Sequence, residues 1–341
     1  MAMSLPKLKN IVVLRSFAII TVVLYHCYCP WLYAWNWFEC PLRGLYSYLF
    51  ETVMVGRMPL FVCVSGYLFS HLLLDRGKYQ SFSGFIKNKI KRLLIPCFTF
   101  TGLMCVCLHE NYITAIWQGG YHLWFLKMLF LCFITCWISS YFTKNIIFEI
   151  LLLLISCSLM YIHIPDILGI GQFCKYYVFF YGGYLFYKYR QSVSFLFTNK
   201  ALLILLLIFS LLCILCAYIY YINPQQSVGD IIHNNKSIVI LRLILRPLYA
   251  ICCFVFVDKI QNNNTYNLTF FEYLNKYSYG IYLFHMLLLQ LAHRYLFDYF
   301  SLFAQVHYIL CPIIAFVVIF GLSTGLSVMI KKTSWGGYLI G

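Results

Sequence analysis

The chain has 341 residues, 62% of them hydrophobic and only 10% charged, with a mean hydropathy of +0.80. A water-facing globular surface carries about 25% charged residues, so this composition excludes an ordinary soluble domain and points to a protein dissolved in lipid. A net charge of +15 would suit a nucleic-acid partner, but the placement of the charges along the chain argues for no nucleic acid.

A helix crosses the hydrocarbon layer with about 20 apolar residues. Windows of that kind cover 11–30, 45–73, 92–109, 123–140, 145–162, 173–187, 201–222, 238–257, 277–297 and 306–330. Between the fifth and sixth, Pro165, Gly169 and Gly171 mark a tight turn or a break, so nine or eleven spans fit the same pattern. The reading is an all-α polytopic membrane protein of about ten transmembrane helices. Residues 1–10 form a cytoplasmic N-terminal tail, 11–330 the transmembrane domain and 331–341 a cytoplasmic C-terminal tail.

With the N-terminus inside, the cytoplasmic segments hold most of the basic residues: Lys7 and Lys9, then Arg76, Lys78, Lys87, Lys89, Lys91 and Arg92, then Lys144, Lys188, Arg190, Lys200, Lys259, Lys276, Lys331 and Lys332. The opposite loops carry little beyond Arg43 and Lys236. This is the positive-inside pattern, and it makes the basic excess a topology signal. The first apolar run has a basic flank but no small-residue cleavage site, so it is expected to stay as a span. Most of the sixteen cysteines fall inside spans, where a thiol packs as a small hydrophobe, and no metal is expected. No Walker loop or dinucleotide fingerprint is present in the sequence.

Ionisable residues inside spans are costly unless they are paired or face a polar cavity, which makes each a site hypothesis. On the first span Arg15 and His26 lie eleven residues apart, about 16 Å and close to three turns, so one face carries both. That face lines a polar passage, or else Arg15 snorkels and His26 sits at the outer surface. Arg57, beside Gly56 and Pro59, faces the protein interior, where it pairs with Glu51 or Glu39 or steadies an anionic substrate. Lys89 and Arg92, three apart, would share a helical face able to grip phosphate, although contact with anionic headgroups also explains them. His122 and Trp124 open the fourth span on its outer side, and Arg242 and Arg246 lie near the outer end of the eighth. In the ninth, Ser278, Tyr282 and His285 fall on one face, as interhelical glue or as part of a ligand cavity.

The same residues carry a resemblance. Leu14-Arg15-Ser16-Phe17-Ala18 and Val22-Val23-Leu24-Tyr25-His26 come first, followed by Pro59 to Leu68 (PLFVCVSGYL) and Lys91-Arg92-Leu93-Leu94-Ile95-Pro96. His122-Leu123-Trp124-Phe125-Leu126 and Ser278 to His285 (SYGIYLFH) complete an ordered set that spans nearly the whole chain. In these motifs the chain resembles the membrane acyltransferase-3 family, which includes bacterial surface-polysaccharide O-acetyltransferases. The resemblance implies transfer of an acyl group, chiefly acetyl, from cytoplasmic acetyl-CoA or another acyl-CoA to a hydroxyl of a surface glycan or a lipid-linked glycan precursor, in a multipass protein of the bacterial cytoplasmic (inner) membrane.

It also implies that the family's essential first-helix histidine is His26. The family's basic pair, usually two arginines, falls on Lys89 and Arg92, where lysine keeps the charge but loses the bidentate geometry. In the expected mechanism these two compensate the donor's phosphates, Arg15 guides the donor or stabilises developing charge, and Glu39 is an outer-loop carboxylate that orients the base. Arg57, His122, Trp124, Arg242, Arg246, Ser278, Tyr282 and His285 are expected to shape the substrate cavity. The alternative of a different class is a multipass transporter or flippase for a glycan or lipid precursor, whose polar helices would line a pathway.

Overall fold

The computed structural model describes residues 9–33, 35–118, 120–142, 145–162, 164–223, 231, 234–262, 268–334 and 336–340. Its helices are α1 (Lys9–Tyr28), α2 (Arg43–Tyr48), α3 (Arg57–Leu74), α4 (Phe82–Lys89), α5 (Ile95–Leu108), α6 (Tyr112–Gln118), α7 (Trp124–Phe142), α8 (Ile146–Leu159), α9 (Ile170–Lys188), α10 (Asn199–Ile222), α11 (Lys236–Asn262), α12 (Thr269–Val306), α13 (Leu310–Lys331) and α14 (Gly336–Leu339). Two π-helical segments, Leu49–Val53 and Ile90–Leu94, lead into α3 and α5. No strand occurs among the described residues, so the all-α reading stands. Lys7 and Lys144 lie outside the described residues.

Each of the ten apolar windows falls on a helix, and among the described residues seven stretches are long and apolar enough to cross a bilayer: Lys9–Trp31, Arg43–Leu74, Phe82–Leu108, Tyr112–Phe142, Asn199–Ile222, Lys236–Ile260 and Leu310–Lys331. The protein is a multipass membrane protein. The fifth window is the 14-residue α8, about 21 Å long and short of the ~30 Å hydrocarbon layer. The sixth and ninth fall on α9 and α12, where tyrosine, histidine and glycine dilute the apolar side chains below the level of the seven. Between α8 and α9 the chain turns instead of continuing as helix. Leu168 and Gly169 both take positive φ, +52° and +87°, and Asp166 Oδ1 accepts the backbone N–H of Gln172 to cap the first turn of α9.

Several of these helices are inside out relative to a soluble protein. Of α8's side chains only Glu149 and Ser156 are buried, and of α10's only Cys213 and Cys216, while leucines and isoleucines cover the exposed faces. Helices of this kind leave apolar side chains in contact with lipid at no cost and turn their few polar groups inward. Their ends follow ordinary capping rules, since Thr198 and Asn145 accept backbone N–H groups at the starts of α10 and α8.

The chain divides into two compact units, residues 1–64 with 190–278 and residues 65–189 with 279–341, so that α3 and α12 each contribute to both. In the first unit α10 packs on α11 and α1 on α11. A Cβ on Gly56 would come within 2.4 Å of the Tyr249 ring there. In the second unit α7 and α8 pack on α9, and α3 approaches α9 so closely that a Cβ on Gly66 would meet the Phe180 carbonyl oxygen at 1.9 Å. Small residues at such crossings let helix backbones approach where lipid supplies no hydrophobic driving force between helices.

Candidate active site

In the first unit, Arg15 and His26 are both half-buried on the uninterrupted helix α1. The imidazole of His26 lies against two aromatic rings. Tyr25 is 5.4 Å away at 54°, and Trp35 lies 6.2 Å away and nearly parallel at 14°. Glu39 is exposed in the segment after α1. The carboxylate that organises this unit is Glu51.

Glu51 sits on the π-helical segment before α3. Arg57 Nη2 is 3.4 Å from its Oε1, and Arg242 Nη2, on α11, is 2.9 Å from its Oε2. Tyr25 lies face-on to Arg57, whose Cζ is 3.5 Å from the ring centroid. Arg57 also donates to the carbonyls of Phe50 and Met54, satisfying acceptors that the irregular turn frees. Of the two carboxylates expected for Arg57, the structure selects Glu51. Arg246, one turn beyond Arg242, is half-buried. Tyr25 links this bridge to the catalytic candidate next to it in sequence, so the charge cluster and His26 share one helix end.

In the second unit, His122 and His285 are buried and meet edge to face with ring centroids 4.9 Å apart. Tyr282 packs on both rings and donates its hydroxyl to the His122 carbonyl. His285 Nδ1 is 3.1 Å from the Ile281 carbonyl of its own helix. Trp124 is half-buried and stacks on Tyr176 at 5.7 Å. The three-residue stripe on α12 is divided. Tyr282 and His285 join His122, whereas Ser278 closes its hydroxyl on the Asn275 carbonyl one turn back, the self-bonding of a structural serine. Lys127, which no sequence pattern singles out, is buried on α7 and donates to the Ile116 carbonyl at 2.6 Å.

The structure separates the expected basic pair by burial. Lys89 is buried, its Nζ 3.2 Å from the centroid of Phe133 and 5.2 to 5.9 Å from the rings of Tyr79, Phe85 and Phe69. Arg92 is exposed, as are Lys87 and Lys91. Lys89 and Arg92 do not share an exposed face, because the π-helical segment starts at Ile90 and breaks the α-helical register on which three-residue spacing depends. Desolvated cation–π contacts hold the ammonium where phosphate was expected.

All sixteen cysteines are free thiols. No group of three or more metal-ligating side chains occurs among the described residues.

A family model described as an acyltransferase domain matches residues 8–332. The chain belongs to the acyltransferase-3 family. The match runs from the start of α1 through α13, and so includes His26, the Glu51 bridge, the basic segment and the His122–His285 pair in one domain. Acyltransferase-3 membership makes the protein an acyltransferase that draws on an acyl donor. No curated protein and no solved structure matches the chain.

Proposed function

We propose that this acyltransferase-3 protein moves an acetyl group from cytoplasmic acetyl-CoA to a hydroxyl of a surface glycan or a lipid-linked glycan precursor, in a bacterial inner membrane with both termini cytoplasmic and about ten spans. The observation that carries this reading is the placement of His26. It is half-buried at the end of a span, next to Tyr25, whose ring faces Arg57, and stacked on a tryptophan.

An alcohol is a poor nucleophile until its proton has somewhere to go. His26 takes that proton as the acceptor oxygen attacks the thioester carbonyl carbon. The new C–O bond forms, the C–S bond breaks, and CoA leaves as a thiolate that recovers the proton from the imidazolium. Direct transfer to the acceptor and passage through an acyl-histidine are the two routes open to this chemistry. Arg15, on the same face of α1, balances negative charge that develops along the donor path. The bridge of Glu51 with Arg57 and Arg242 fixes Tyr25, and through it the end of α1.

The donor's phosphates are assigned to Arg92, supported by the exposed Lys87 and Lys91, in place of Lys89. Arginine offers the planar fork that suits phosphate oxygens. His122, Tyr282 and His285 shape the interior of their own unit.

The test is purified protein with labelled acetyl-CoA and a panel of glycan acceptors, following label transfer and free CoA for wild type and His26→Ala. Acceptor-dependent transfer that disappears in a folded His26→Ala protein is the expected result. Transfer that survives the substitution removes His26 from the chemistry, and a wild type that moves a glycan across vesicles without releasing CoA replaces the enzyme with a flippase.

A further inference from the structure

The segment after α1 sorts its aromatic residues into two classes. Trp31 and Phe38 are buried, 3% and 8% exposed, and pack together at 5.0 Å. Trp35 and Trp37 are only partly covered, and their indoles stack on each other with centroids 4.7 Å apart and planes at 30°. Trp35 is in turn nearly parallel to the His26 imidazole, so three rings form one ladder that ends at the proposed general base.

This arrangement is built by the backbone. Asn36, between the two tryptophans, takes the left-handed conformation with φ +53°, a geometry asparagine tolerates better than most residues. The turn it makes folds the chain back, with Asn36 N–H on the Leu32 carbonyl and the N–H groups of Trp37 and Phe38 both on the Pro30 carbonyl. Arg43 fastens the loop from outside by donating to the carbonyls of Trp31 at 3.3 Å and Phe38 at 2.6 Å. A tryptophan that only anchored the chain at the lipid interface would need neither the turn, nor the clamp, nor a partner in register with His26.

Resting on the acyl-transfer reading above, we propose that Trp35 and Trp37 are the acceptor platform, and that the acceptor is a pyranose ring presenting its apolar C–H face to the indoles. The negative face of an aromatic ring attracts polarised C–H groups, and its flatness matches a sugar ring, whose hydroxyls then project from the edge. The free face of Trp37 lies two ring steps from His26, 4.7 and 6.2 Å between successive centroids, so a saccharide stacked there is held alongside the base and not against it. Trp35 is a positioning residue for His26, and Trp37 is a binding residue for the acceptor.

Two measurements test this. In steady-state transfer, Trp37→Ala raises the acceptor KM about tenfold, equivalent to about 1.4 kcal/mol, leaves the acetyl-CoA KM unchanged, and is largely rescued by Trp37→Phe. In the second, without donor, hexose oligosaccharides change the tryptophan emission of wild type in detergent, and the change is smaller in Trp37→Phe, which removes one of the two indoles. Because no donor is present, this readout stands even if the acetyl group or the direction of transfer is misassigned. The platform is overturned if Trp37→Ala leaves the acceptor KM unchanged, if it raises the two KM values together, or if the emission of Trp37 responds to lipid vesicles and not to saccharide.

Discussion

Two buried cationic sites, one in each unit, solve the same problem in different ways. Each holds cationic side chains within an apolar protein, but the first neutralises Arg57 and Arg242 with a carboxylate, while the second surrounds Lys89 with four rings. A carboxylate bridge is directional and reciprocal, because removing Glu51 leaves two arginines facing each other. A ring cage is diffuse, and losing one ring leaves three. The first arrangement suits a place where geometry must be fixed next to a reacting group. The second suits an anchor for the segment that carries Arg92.

The largest effect should come from the bridge. Glu51→Ala takes the shared carboxylate away from both guanidinium groups, and breaking a buried pair in this way costs about 3 kcal/mol, the low end of the usual range because Glu51 retains a quarter of its side-chain exposure. Thermal unfolding in detergent reads this directly, and a shift corresponding to less than about 1 kcal/mol would place the bridge with ordinary surface pairs. Next is Arg92→Gln, expected to raise the acetyl-CoA KM about tenfold with the unfolding midpoint unmoved, since a charge-assisted phosphate contact is worth roughly 1.5–3 kcal/mol. An unchanged KM would return the donor site to Lys89. The smallest effect is expected from Lys89→Met, which keeps the chain length within the cage while removing the charge. It exchanges cation–π contacts for sulfur–aromatic ones and changes stability by only about 1 kcal/mol, with the donor KM intact. A tenfold rise in that KM would show that the cage releases Lys89 to bind phosphate.

What could be read from sequence divides along similar lines. Apolar windows are sums over neighbouring residues, so the positions of helices were legible, and so was the span of Arg15 and His26 on a single helix. For Arg57 the sequence offers Glu39 and Glu51 without choosing between them, because the choice depends on a π-helical turn that places residue 51 beside residue 57. The burial of Lys89 is not legible in the sequence, for two reasons. The spacing of three presumes an α-helix, which stops at that residue, and the rings of Phe69 and Phe133 come from distant parts of the chain. Ser278 kept the expected helical phase but turned its hydroxyl into its own backbone, a local choice that periodicity does not register. The stack on His26 was invisible, since nothing in the spacing of Trp35 and Trp37 announces the left-handed residue between them.

Both basic sites lie beside a helical turn widened to π geometry, Leu49–Val53 in one unit and Ile90–Leu94 in the other. Such a turn is equivalent to a one-residue insertion in an α-helix, and each residue of an α-helix advances the side chains by about 100°. Deleting one residue from either segment therefore changes the phase between its upstream and downstream neighbours, while leaving composition and hydropathy almost untouched. For Ile90–Leu94 the deletion would rotate Lys89 relative to α5 and shift the Arg92 carbonyl that now accepts the Tyr279 hydroxyl. In this protein a length change of a single residue in one of these turns carries more consequence for the site than many substitutions around it.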